Sequence, residues 1–166
     1  MWAAHRDRAG AVTGWEERGP DWRGFATGGA KVLFRLGPVD GPRLCVAEAA
    51  IDAMSLAALE DQRPDTRYLS TGGGWSPASS EALLDLAVRA DALLVAATDN
   101  NAQGESFAAR LEALAADAGC GFVRLRPELE DWNEDLKAKR RKKDGREEKD
   151  GCRMPAVHLK GEAPPG

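Results

Sequence analysis

Leu44-Cys45-Val46-Ala47-Glu48-Ala49-Ala50-Ile51-Asp52-Ala53-Met54-Ser55-Leu56-Ala57-Ala58-Leu59 is the stretch on which the fold turns. Leu44 to Ala47 is a short uninterrupted apolar run, the pattern of a strand buried on both faces. Ala49 to Leu59 is rich in Ala and Leu and holds neither Gly nor Pro, so it reads as a helix. An acid, Glu48, stands at the junction, and a second, Asp52, follows one helical turn later. A strand that runs directly into a helix is the repeating unit of parallel α/β folds.

The chain downstream repeats that unit. Arg67-Tyr68-Leu69 reads as a second strand, closed by Ser70-Thr71-Gly72-Gly73-Gly74. Ser76 followed by Pro77 marks a helix start, an N-cap with Pro in the first turn, and the helix is expected to run to about Ala90. Ala92-Leu93-Leu94-Val95-Ala96-Ala97 is a wholly apolar third strand. A helix from about Glu105 to Ala118 stops at Gly119, and Gly121-Phe122-Val123-Arg124-Leu125 is a fourth strand. The expectation is an α/β fold with a mostly parallel four-stranded sheet flanked by helices.

Upstream, residues 1–36 read as short strands with turns. Arg8-Ala9-Gly10 before Ala11-Val12-Thr13-Gly14-Trp15 suggests a hairpin, Gly24 to Ala30 a flexible loop, and Val32 to Leu36 another strand. The expected organisation is a strand-rich N-terminal block over 1–36, an α/β domain over 43–138, and a charged, then Pro/Gly-rich, disordered tail over 139–166.

Composition narrows the function classes. Hydrophobic residues make up 43% of 166, enough for one core. Charged residues interrupt every apolar run below the length of a membrane span, and the N-terminus carries no apolar segment behind its charges. Cys45, Cys120 and Cys152 are scattered singly, which argues against a zinc ribbon or a disulfide framework and points to a reducing cytoplasm. Residues 1–136 carry 13 basic and 22 acidic side chains, whereas 137–150 carry 8 basic and 4 acidic. An acidic body suits a metal site better than a bare phosphate-binding surface.

Ligands of parallel α/β sheets collect at the carboxyl ends of the strands. Three such ends carry acids here: Glu48 after the first strand, Asp99 after the third, and Asp131 and Asp135 after the fourth. Magnesium prefers oxygen donors and often takes one or two carboxylates together with substrate phosphates. Taken singly, each acid reads first as a helix cap or a partner of the helix dipole. Their shared placement is what points to a site.

These residues resemble the Toprim family. Val46 to Leu56 is similar to its first motif, an apolar strand ending in Glu before a helix that bears Asp. Asp99-Asn100-Asn101-Ala102-Gln103-Gly104 is similar to the second, Asp-x-Asp with a downstream Gly. Asp131-Trp132-Asn133-Glu134-Asp135-Leu136 is similar to the acidic third segment of primase-type members. Residues 4–36 resemble the strand-rich stretch before Toprim in bacterial primases, so the likeness covers roughly residues 2–138. It is greatest to Toprim proteins of plasmids and mobile elements. Two positions depart from the pattern: Ala49 stands where the family has Gly, and Asn101 where it has the second Asp, one negative charge fewer.

The resemblance implies nucleotidyl transfer on nucleic acid, namely RNA primer synthesis on single-stranded DNA from nucleoside triphosphates, in plasmid or mobile-element replication or transfer. It implies magnesium or manganese as cofactor and a replicative helicase or relaxase as possible partner. Glu48 would move the proton of a 3′-hydroxyl or help hold metal. Asp99 would be catalytic and, with Asn101, Asp131 and Asp135, a metal ligand. Asn133 would support the site, and Asp52 would either orient the Glu48 region or pair locally. Lys31, Arg35, Lys139, Arg140 and Arg141 are candidates for the nucleic-acid backbone, against plain surface charge. The rival readings are a Toprim nuclease and a catalytically weak module that binds nucleic acid or nucleotide. Gly72-Gly73-Gly74 lacks the Lys and Ser/Thr of a P-loop and reads as a turn. Trp75 and Trp132, in loops at the proposed face, are candidates for base stacking, against core anchoring.

Overall fold

The computed structural model describes residues 1–151, with side chains as far as residue 144. Its elements in chain order are β1 (Trp2–Arg6), β2 (Val12–Arg18), β3 (Arg23–Phe25), β4 (Leu33–Leu36), β5 (Arg43–Ala47), α1 (Ala50–Leu59), β6 (Thr66–Ser70), α2 (Pro77–Ala87), β7 (Leu93–Ala96), α3 (Ala102–Ala118), β8 (Gly121–Arg124) and α4 (Trp132–Gly151). The Pro/Gly-rich end expected over the last residues lies, from 152 on, outside the described residues. Residues 1–136 form one compact unit, and the described residues from 137 on belong to a second.

The four-stranded parallel sheet is present in the order β6-β5-β7-β8, with Val46 level with Leu69 on one side and with Ala96 on the other. It is half of a larger sheet. β4 pairs antiparallel with β6, Arg35 opposite Leu69, and carries β1, β2 and β3 with it, so eight strands run β3-β2-β1-β4-β6-β5-β7-β8. The expected loop at Gly24 begins instead with the short strand β3, paired to β2. Three residues with a central glycine are too few to show an alternating pattern.

Alternation along β5 divides the core. Leu44 and Val46 face the layer of α2 and α3, where Leu83, Leu111 and Leu114 pack. Cys45 and Ala47 face α1, with Ala53, Leu56, Tyr68 and Trp132. Both faces of β5 and β7 are thus dry, which is why Leu44 to Ala47 and Leu93 to Ala96 are continuously apolar, while the edge strand β8 is partly exposed.

Helix ends follow from local chemistry. Ser76 caps α2 in a capping box with Ser79, and Pro77 occupies the first turn. α3 begins at Ala102 rather than near Glu105, because the Asn101 side chain accepts the Gly104 N–H at 2.9 Å. It ends at Gly119, whose φ of 69° is left-handed. α1 is different: its N-cap, Ala49, has no side chain able to cap.

Candidate active site

β5 and β7 end level with each other, so the residues that follow them meet at one edge of the sheet. Glu48 is only 6% exposed there. Its Oε1 accepts the Asp99 N–H at 3.4 Å, and its Oε2 accepts from the Gln103 side-chain amide at 3.1 Å. Its own carbonyl accepts from Ser70 Oγ at 2.9 Å and from the Gly73 N–H at 2.7 Å. Glu48 is therefore held from both the β6–α2 loop and the β7–α3 loop.

Asp99 feels the charge of Glu48, and Asp52, Asp99 and Asp131 act on one another electrostatically. Burial pushes the Asp99 carboxyl up to about 6, helped by the charges of Glu48, Asp131 and Glu130 and opposed by Arg124. Burial likewise pushes Asp52 up to about 7, with Asp131 and Asp99 adding to it, and the Asn133 N–H at 3.2 Å and Arg18 opposing. Asp99 Oδ1 is buried and has no hydrogen-bond partner. A buried acceptor left unbonded disfavours the fold unless a ligand uses it.

The other expected site residues are placed apart from this cluster or are otherwise occupied. Asn101 caps α3. Asp135 folds back on the preceding loop, accepting the Glu128 and Leu129 N–H groups at 2.8 Å each. Asp131 caps the start of α4 through the Glu134 N–H at 2.8 Å while keeping its electrostatic reach to Asp52 and Asp99. Asn133 acts on Asp52 through its backbone N–H. Lys31 donates to the Gly72 carbonyl at 2.7 Å. Arg35 donates to the Asp7 carbonyl at 3.0 Å. Lys139, Arg140 and Arg141 lie on α4. Trp132 is a core anchor, buried and bonded through its indole N–H to the Ala97 carbonyl at 2.8 Å. Trp75 packs edge-on against Phe107.

Three contributors were missed. Gln103 lies within the second acidic motif, but sequence does not tell which way its side chain points. Arg124 gave a readable signal, a charge at the end of an apolar strand. It donates to the carbonyls of Ala96, Thr98, Asp99 and Leu125 and to Glu105, tying the ends of β7 and β8 together. The third is the pair Arg18 and Arg23 of the N-terminal block, which stand with the expected Lys31. Beside the acids opens a cavity of about 430 Å³ lined by Arg18, Arg23, Lys31, Ala49, Gly72 and Gln103, among others.

The family implied by these residues uses a divalent metal, and the donors present fit one. All are oxygens, and an unbonded buried carboxylate oxygen at Asp99 is available. Among the described residues no three His, Cys, Asp or Glu side chains form a ready-made metal cage. Magnesium does not require one, since it keeps waters and takes substrate phosphates beside one or two carboxylates.

Comparison with known proteins bears on the family and the fold. Residues 1–41 match a protein family of unknown function, DUF3991. A comparison with curated proteins finds no match. Among solved structures, the primase fragment of the bacteriophage T7 primase-helicase protein superimposes with a TM-score of 0.53 at 18% identity, covering 87% of this chain and 60% of that one. The chain thus spans less than two thirds of that fragment, and the likeness is one of fold. Residues 45–136, more than half of the chain, match the Toprim-like family (Toprim_2), to which this chain belongs.

Proposed function

We propose that the chain carries out metal-dependent nucleotidyl transfer of the primase kind, joining ribonucleotides on single-stranded DNA in replication or transfer of a plasmid or mobile element. The observation that carries this reading is the meeting of Glu48, Asp52, Asp99 and Asp131 at the carboxyl edge of parallel strands, with one Asp99 oxygen buried and unbonded. Asp99 and Asp131 would hold magnesium or manganese, which supplies positive charge to the phosphate oxygens. Glu48, held in place by the Asp99 N–H and Gln103, is poised to take the proton of an attacking 3′-hydroxyl. As the new phosphodiester forms, pyrophosphate leaves. The cavity beside the acids carries Arg18, Arg23 and Lys31 on its wall together with Glu16 and Glu17, and its three cations suit the triphosphate of the incoming nucleotide. The basic residues Lys139, Arg140 and Arg141 of α4 suit the DNA backbone, and a helicase or relaxase is the fitting partner class. No helix among the described residues is long and apolar enough to cross a membrane, and we place the chain in the cytoplasm.

Asn101 favours a second reading. Its side-chain oxygen caps α3 and it brings no charge. A module that binds nucleotide or nucleic acid with little turnover would look the same.

Incubation with single-stranded DNA, labelled ribonucleotides and magnesium separates the readings. The nucleotidyl-transfer reading expects extension products that vanish in Glu48→Gln and Asp99→Asn; cleavage products would mark a nuclease, and retention without products the binding module. Melting with and without millimolar magnesium gives an independent check. The parent should be stabilised, because magnesium binds only the folded site, and Asp99→Asn should lose that shift. Equal shifts in both would remove Asp99 from the metal site.

A further inference from the structure

The N-terminal block carries a buried acid-histidine pair that the chemistry above does not use. Glu16 of β2 has a side chain 14% exposed, and His5 of β1 is fully buried. His5 Nε2 lies 2.8 Å from Glu16 Oε1. An ionised carboxylate only accepts, so Nε2 carries the proton of this bond. The ring is fixed from the other side by Phe25, edge-on at 5.2 Å. Both Glu16 oxygens accept the N–H of Ala50, each at 3.2 Å. Ala50 is the first residue of α1, two positions after Glu48 and two before Asp52.

Ala49 has the extended backbone of an N-cap, φ −117° and ψ 155°, but no side chain to serve as one. The carboxylate that meets the orphan amide comes instead from β2, 34 residues away. It also places negative charge at the positive end of the helix. Gly72, whose φ is +68°, seals the arrangement: a Cβ there would lie 3.0 Å from His5 Cε1 and 3.3 Å from Glu16 Oε1. The next residue, Gly73, holds the Glu48 carbonyl.

We propose that Glu16, oriented by His5, is a positioning residue for Glu48: the N-terminal strands supply in space the cap that Ala49 lacks in sequence, and so set the start of the helix between Glu48 and Asp52. This rests on the reading of Glu48 as the proton acceptor.

The test uses the full chain as parent, Glu16→Ala, Glu16→Gln, and Glu16→Ala combined with Ala49→Ser, which restores a local cap. Extension kinetics and magnesium titrated by the melting shift are the two readouts. Glu16→Ala should lower kcat about tenfold with KM for the ribonucleotide little changed, and weaken magnesium binding, because Glu48 accepts the N–H of Asp99, the residue assigned to the metal, and a shifted Glu48 loosens it. Glu16→Gln, which keeps an accepting oxygen, should stay near the parent. Ala49→Ser should recover most of the loss in the double variant. Parent-like kinetics and magnesium affinity in Glu16→Ala would overturn the proposal. So would a loss that neither Gln nor Ser repairs. If Glu16→Ala does not fold, Glu16→Gln and the double variant still decide it. If Glu48→Gln extends primers as well as the parent, or the parent extends none, the reading of Glu48 fails. The magnesium titration then decides the cap alone: a weakening that Ala49→Ser reverses supports it, and equal affinity overturns it.

Discussion

The two halves of the sheet bury their strands differently. β5 and β6, in the parallel half, are almost wholly buried, and all five residues of β6 are covered. β1 and β2, in the antiparallel half, alternate between buried and exposed, and Trp2 is 83% exposed. The parallel half is covered by helices on both faces, while β1–β3 have no helix of their own. The difference separates two jobs. The dry half fixes the strand ends where the acids stand, and the wetter half delivers Glu16, Arg18 and Arg23 to the same edge.

The largest effect expected from this contrast is on packing. Leu94→Ala, at a fully buried position of β7, should destabilise by about 2–5 kcal/mol in chemical denaturation. Trp2→Ala, despite the larger side chain removed, should fall within about 0.5 kcal/mol. Equal losses would mean that the two halves share one kind of core after all.

A smaller effect concerns pH. Asp52 and Asp99 have carboxyls raised to about 7 and about 6, so the native state holds protons that the unfolded chain has released. Their share of stability is therefore complete below about pH 4. It declines as pH rises through the raised values. Melting temperature, read without magnesium, should fall from pH 5 to pH 7.5, and Asp52→Asn should flatten that fall. Asp65 and Glu105, held by arginines below the usual carboxylate range, act at lower pH and do not obscure the window. A parent whose melting is level across it would mean that these acids are not desolvated together.

How much of this was readable in the sequence follows the same divide. Leu44 to Ala47 and Ala92 to Ala97 announce dry strands because both faces exclude water, and the acids at their ends follow from topology. Ser76-Pro77 and Gly119 mark helix ends by local chemistry alone. β3 stayed hidden because its pairing with β2, not its own pattern, makes it a strand. At the site, Glu48 and Asp99 were legible, whereas Gln103 and Glu16 were not: their roles depend on contacts across 55 and 34 residues. Asn101 looked like a weakened ligand, and its place as the cap of α3 emerges only from where the helix begins.

The smallest expected effect concerns that residue. Asn101→Asp should leave metal-free stability nearly unchanged, since Asp and Asn cap about equally well, within a few tenths of a kcal/mol. It should nonetheless tighten magnesium binding by adding a carboxylate near the acids. A melting shift with magnesium identical to the parent's would show that position 101 belongs to the helix and not to the metal.

The pairing of β4 with β6 has a practical consequence for anyone dividing this chain. A truncation between the two matched families, near residue 42, would strip β4 from β6 and expose the backbone N–H and C=O groups of a strand whose five residues are all buried. Such a bare edge is a template for another chain to pair with. The isolated Toprim segment should therefore self-associate through β6, and its partner in that association would be a second copy of the same strand, standing where Phe34, Arg35 and Leu36 stood.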